Sequence, residues 1–164
     1  MMTATEASEK LIDLILANED IANRAEGCDA GQIAAAERDI GMTFPPSYRR
    51  LIEEFGTWDI AGEEFLGAYQ TPAMGQKILG SVAETLGARN QYGLPLDLIV
   101  AMFDGMGGLI VLDASQPDQE HEYPVLVWNP ESADRESMEK LGDNFGSFAL
   151  RLCRRAVATW RESE

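Results

Sequence analysis

Apolar residues recur at the three- and four-residue intervals of helices through the first third of the chain, then give way to short apolar runs. The stretch Leu11 to Ala17 is interrupted by Asp13 and followed by Glu19 and Asp20, which predicts an amphipathic helix rather than a secretory leader. Further on, Asp29 with Gln32 three residues later has the form of a capping box. Ile33, Ala36 and Ile40 then share one helical face, and Gly41 stands where a C-cap belongs. Pro46 occupies a first helical position, and Tyr48, Leu51, Ile52 and Phe55 follow at i, i+3, i+4 and i+7 before Gly56.

The segment "GTWDIAGEEFLGAY" abandons that spacing, and its glycines predict a turn leading into a strand. Ile78, Val82 and Leu86 predict another helix, ended near Gly93 and Pro95. Runs rich in branched residues follow at Leu96 to Phe103, Gly108 to Asp113 and Tyr123 to Trp128, and read as strands of one sheet. "DGMG" is short enough for a hairpin, whereas "ASQPDQEHE" makes a longer, exposed loop. A last helix places Phe145, Phe148, Leu152, Ala156 and Trp160 on one face, to pack on the sheet. Strands clustered between helices, without strict alternation, predict an α+β fold with a mostly antiparallel or mixed central sheet. No internal repeat or linker divides residues 1–164, so a single domain is expected.

Composition changes this picture little. Hydrophobic residues at 45% and charged residues at 25% are those of an ordinary globular chain. Two cysteines, Cys28 and Cys153, make neither a disulfide framework nor a zinc spacing, and whether they pair is open at this point. No apolar run reaches about 18 residues. A cytoplasmic protein with no membrane partner is expected.

Charge changes the picture more. Residues 51–139 carry 16 Asp plus Glu against 3 Lys plus Arg, a net of −13 within a chain total of −15. Such a field repels nucleic acid and steers cationic partners toward the chain.

Candidate chemistry is sparse. "GMGG" at Gly105 to Gly108 precedes a strand rather than a helix, so it cannot aim helix N–H groups at a phosphate. The single histidine, His121, lies in a loop with no second histidine or cysteine ligand nearby. The doublets Glu53/Glu54 and Glu63/Glu64 join adjacent residues, which point apart on any regular element. Asp104, Asp113 and Asp118 do not have calcium-loop spacing, and no serine sits in a nucleophile elbow. Neither a catalytic role nor a cofactor or metal is expected.

The stretch "IAAAERDIGMTFPPSYRRLIEEFGTWDIAGEEFLGAY" resembles the signature of the SUKH superfamily, the Smi/Knr-type domains. The elements that carry the resemblance are Glu37, Gly41, Phe44-Pro45, Tyr48-Arg49, Gly56 and "EEFLG" at Glu63 to Gly67. "LIVAMFDGMGGLIVLD" and "YPVLVW" resemble the family's later strands, and the likeness covers a core of about 29–160. One departure is Phe55, where the family usually has asparagine before the glycine. The resemblance implies an α+β domain of a kind that bacteria commonly use as immunity proteins against toxins, often nucleases. Eukaryotic relatives are regulatory or scaffold proteins, which is the alternative expectation.

Under that resemblance the acidic centre would face a basic toxin, which the chain would bind as a monomer or a homodimer. The residues expected at the partner surface are Trp58, Asp59, Glu63, Glu64, Tyr69, Asp104, Asp118, Glu120 and Glu122, with Trp58 or Tyr69 as aromatic anchor.

Overall fold

The computed structural model describes residues 1–132, 134–135 and 138–164. Its helices are α1 (Ala4–Ala17), α2 (Ala30–Ile40), α3 (Pro46–Phe55), α4 (Ser81–Tyr92) and α5 (Phe145–Glu162). Its strands are β1 (Ala22–Arg24), β2 (Trp58–Ile60), β3 (Glu63–Phe65), β4 (Ala68–Tyr69), β5 (Leu79–Gly80), β6 (Leu98–Phe103), β7 (Leu109–Asp113), β8 (Val125–Trp128) and β9 (Glu139–Gly142). The fold is α+β, and all of these strands pair antiparallel.

Local chemistry sets the first helices. Asp29 accepts from the Gln32 N–H while the Gln32 side chain accepts from the Asp29 N–H, closing the expected capping box, and Gly41 ends α2 in the left-handed conformation. In α3, Tyr48, Leu51, Ile52 and Phe55 are all buried, as their spacing predicts. The Tyr48 ring meets Phe145 edge to face at 4.9 Å, and its hydroxyl donates to the Leu66 carbonyl.

The three branched runs share one sheet, as expected, and two smaller ones accompany it, so that the sheets are β1-β2-β3, β4-β5 and β6-β7-β8-β9. In the third, both faces are covered. Ile99, Met102, Ile110, Leu112 and Val125 join the main core with α1, α3 and α5, while Leu98, Val100, Leu109, Val111 and Trp128 pack with Ala88 of α4. Strand β6 is an edge, and the outward backbone groups at its centre are engaged. Ser81 donates to the Val100 carbonyl at 2.5 Å, Thr85 accepts from the Val100 N–H at 3.0 Å, and the Ala101 carbonyl accepts from the Leu66 N–H at 2.8 Å. A bulge between Val100 and Met102 goes with this edge.

Two helices depart from their expected faces. Helix α4 starts after Ile78 and buries Ser81, Val82, Thr85 and Ala88, leaving Leu86 exposed. Helix α5 packs chiefly along α1 rather than on the large sheet, and its last turns outrun the core, so Trp160 is exposed.

Gly67 explains the signature glycine that ends "EEFLG". A β-carbon there would lie 1.5 Å from the Gly56 carbonyl oxygen, because Ala68 N–H bonds that same oxygen at 2.8 Å. The two backbones touch, and this contact carries the chain from the β2–β3 hairpin into β4.

Candidate functional site

The β2–β3 hairpin turns on Ala61 and Gly62, whose φ values of 50° and 87° are both positive, as a two-residue primed turn demands. Its register pairs Trp58 with Phe65, Asp59 with Glu64 and Ile60 with Glu63. Side chains alternate, so Trp58 and Phe65 stack inward with centroids 5.3 Å apart while Asp59 and Glu64 stand together on the opposite face. Two carboxylates directly opposite across a ladder repel one another. Strand β1 sets Asn23 beside them, and its amide donates to Asp59 at 3.0 Å. Among the described residues no lysine or arginine pairs with either acid.

Around this pair the surface is concave. A hollow of about 340 Å³ is lined by Asp59, Glu64, Arg24, Leu66 and Tyr69, among others. A second of about 480 Å³ adjoins it, sharing Ala25, Thr57 and Tyr69, and adds Glu26 and Asp29. Tyr69 therefore forms a wall of both, and it is 38% exposed. Arg24, the cation at this site, is held by Glu19 at 2.7 Å and lies over the Phe55 ring at 5.7 Å.

The wider charge distribution reinforces this. Of the three cations between residues 51 and 139, Arg135 joins Asp97 and Asp113, each at 2.8 Å, and Arg89 donates to the Ile40 and Leu96 carbonyls. Glu53 and Glu54, by contrast, are met by Arg49 and Arg50 one turn earlier on α3. The helix doublet is thus neutralised at home, and the hairpin acids are not.

The remaining expected residues fall elsewhere. Trp58 is only 2% exposed, so it is a core ring rather than a surface anchor, because β2 turns it toward Tyr48, Phe65 and Phe145. Glu63 points away from Glu64 into a hollow of about 350 Å³ with Arg151 and Arg155, where partial burial raises its pKa. Asp104 accepts from the Met106 and Gly108 N–H groups, and Asp118 from those of Glu120 and Glu122, so both shape turns. Glu120 is exposed on the β7–β8 loop.

Glu122 does not belong to any acidic surface: it is 1% exposed. Its carboxylate caps α3, accepting from Ser47, and burial pushes its pKa up against the opposing effect of those bonds. The signal for this was Pro45, an N-cap residue without a capping side chain, which leaves the α3 N–H groups to a distant acceptor. Asp29, which joins the second hollow, was legible only as the cap of α2, and Glu26 had no sequence signal beyond its charge.

Chemically, the hairpin site offers carboxylates, a phenol and shallow concave backbone, which suits holding a cationic group. Cys28, beneath the second hollow, donates its thiol to the Ala68 carbonyl at 3.0 Å, and burial raises its pKa. Cys153 is buried in α5 and pushed up to about 12 by burial, and the two cysteines are not bonded to each other. Among the described residues no cluster of three His, Cys, Asp or Glu side chains is placed to hold a metal, and no helix is long and apolar enough to cross a membrane.

A search of curated proteins gives no match. The family model described as SMI1-KNR4 cell-wall matches residues 8–153, from within α1 to within α5. With the signature elements in place at the α2–α3 junction, the β2–β3 hairpin and Gly67, the chain belongs to the SMI1-KNR4 family of the SUKH superfamily.

Proposed function

We propose that this chain is an immunity protein that binds a basic toxin domain, of which nucleases are the leading class, and neutralises it by occlusion rather than by catalysis. The observation that carries this is the Asp59–Glu64 pair, two opposed carboxylates with which no Lys or Arg among the described residues forms an ion pair. A nuclease needs cations to hold phosphate, and such a groove complements an acidic rim with Tyr69 as its aromatic contact. Membership of a family whose domains commonly serve as immunity proteins supports the reading. Asp118 and Glu120 add negative charge without adjoining the two hollows, whereas Glu63 and Asp104 line a hollow with Arg151 and Arg155. The action is placed in the cytoplasm, where a nuclease would meet its target.

The test is co-expression with toxin domains encoded beside the gene, scoring growth rescue and co-purification. Rescue by the wild type, reduced by Asp59→Asn together with Glu64→Gln, is the expected result. If no neighbouring domain is toxic and none is bound, the proposal fails.

A further inference from the structure

The four-stranded sheet carries a second exposed feature at the far end of β6. The bulge between Val100 and Met102 resets the alternation, so that Met102 enters the main core while Phe103 pairs with Leu109, a residue of the α4-side core. Phe103 thereby reaches the α4 side beyond the end of the packed layer, where it is 51% exposed. Tyr92, at the end of α4, is 47% exposed, and both line a groove of about 290 Å³ between α4 and the β6–β7 hairpin. The buried residues Ala88 and Leu109 also line the groove, so it continues the second core outward.

Gly87 makes this groove unusual. It lies inside α4, where glycine is a poor helix former, yet a β-carbon added there meets nothing within 4 Å. Among the described residues no neighbour requires the glycine. What its absent side chain provides is close access to the helix backbone from outside.

The charged side chain that lines the groove is acidic, while Phe103 also borders the hollow that holds Arg151 and Arg155. Glu84 lines the groove, and Glu131 directly follows the lining residue Pro130. No Lys or Arg among the described residues lines it. A second copy of the chain would bring another net charge of −15 against this face.

From these observations we infer that the α4/β6–β7 groove docks an apolar side chain carried on a Lys- or Arg-rich segment of a partner protein. The inference shares with the proposed function the premise of a cationic protein partner, and adds a second contact face with Phe103 and Tyr92 as its aromatic walls.

The probe is the synthetic peptide Lys-Lys-Phe-Lys-Lys, titrated into the isotope-labelled full chain and followed by amide chemical shifts. Lys-Lys-Ser-Lys-Lys serves as the charge-matched control. The Phe peptide is expected to shift the Gly87, Gly105 and Gly107 amides at a concentration at least about tenfold below that of the Ser peptide, and Phe103→Ala should abolish the difference. Equal responses to both peptides, or responses that avoid Gly87, overturn the inference. So does a dimer seen by sedimentation and lost in Phe103→Ala, because the occupant is then a second copy. Gly87→Ala supplies an independent readout: it should raise the melting temperature by about 2 °C, and a fall would mean that the glycine serves the chain's own packing. A bound toxin with no seating of the Phe peptide sinks the groove alone. Seating of the peptide with no toxin bound sinks the immunity proposal alone.

Discussion

Glu122 accepts two hydrogen bonds from Ser47, one from its backbone N–H at 2.8 Å and one from its hydroxyl at 2.6 Å. Ser47 in turn accepts from the Gly146 N–H at 3.0 Å, and its carbonyl accepts from the Ser8 hydroxyl at 2.8 Å. One buried serine thus ties the β7–β8 loop, α1, α3 and the start of α5 together. Glu122→Ala strands the Ser47 N–H and hydroxyl in a dry site, and should cost about 2 to 4 kcal/mol in chemical denaturation. Retained stability would mean that water replaces the carboxylate.

The same residue gives a pH dependence of defined sign. Burial raises the folded-state pKa of Glu122 above its ordinary value, so its contribution to stability is fully present below the unfolded pKa and declines as pH rises through the folded one. Glu122→Gln keeps an acceptor for the Ser47 N–H and, like the protonated carboxyl, offers a donor to the Ser47 hydroxyl, but the bulkier amide fits that place less well, costing about 1 kcal/mol in acid. That deficit should shrink from pH 4 toward pH 8, because the glutamine pays no ionisation penalty. A deficit that grows with pH would show that the ionised carboxylate is the favoured form.

Gly67→Ala should fail to fold stably. Its methyl group would meet the Gly56 carbonyl, a backbone atom that is itself bonded to the Ala68 N–H, so relief requires parting β4 from the hairpin. A loss of about 3 kcal/mol or more is expected from melting curves.

Ala61 predicts the opposite sign. Its φ of 50° is disfavoured for a residue with a β-carbon, and asparagine tolerates it better at this turn position. Ala61→Asn should stabilise the protein by about 0.5 to 1 kcal/mol, with partner binding unchanged because Asp59 and Glu64 keep their register. A loss of stability would count against the primed turn.

The sequence was most legible where structure is local. The Asp29–Gln32 box, Pro46 and the four apolar positions of α3 act within a few residues, so spacing alone locates them. The three branched runs likewise become β6, β7 and β8. Helix α4 was expected and ends at Gly93 as its sequence predicts, but its buried face was only partly legible because Ser81 and Thr85 are polar and bond the backbone of Val100, which hydropathy cannot register. The division into three sheets was hidden because β1, β4 and β5 have only two or three residues each and owe their pairing to tertiary placement. At the candidate site, Asp59 and Glu64 line one hollow with Tyr69, whereas Glu122, singled out by the same charge, is a buried helix cap. Trp58 shows the converse limit, since a glycine-rich segment that reads as a surface turn places it in β2 and sends its ring inward.

The central claim, that the unneutralised Asp59–Glu64 pair draws a basic toxin, is tested most directly by the association rate of the co-purified toxin domain across a salt series. Wild type should associate fast at low salt and slow steeply as ionic strength rises through the range where the Debye length falls to about 8 Å, while Asp59→Asn with Glu64→Gln should start slower and depend less on salt. Equal rates and equal salt slopes for the two proteins would contradict it.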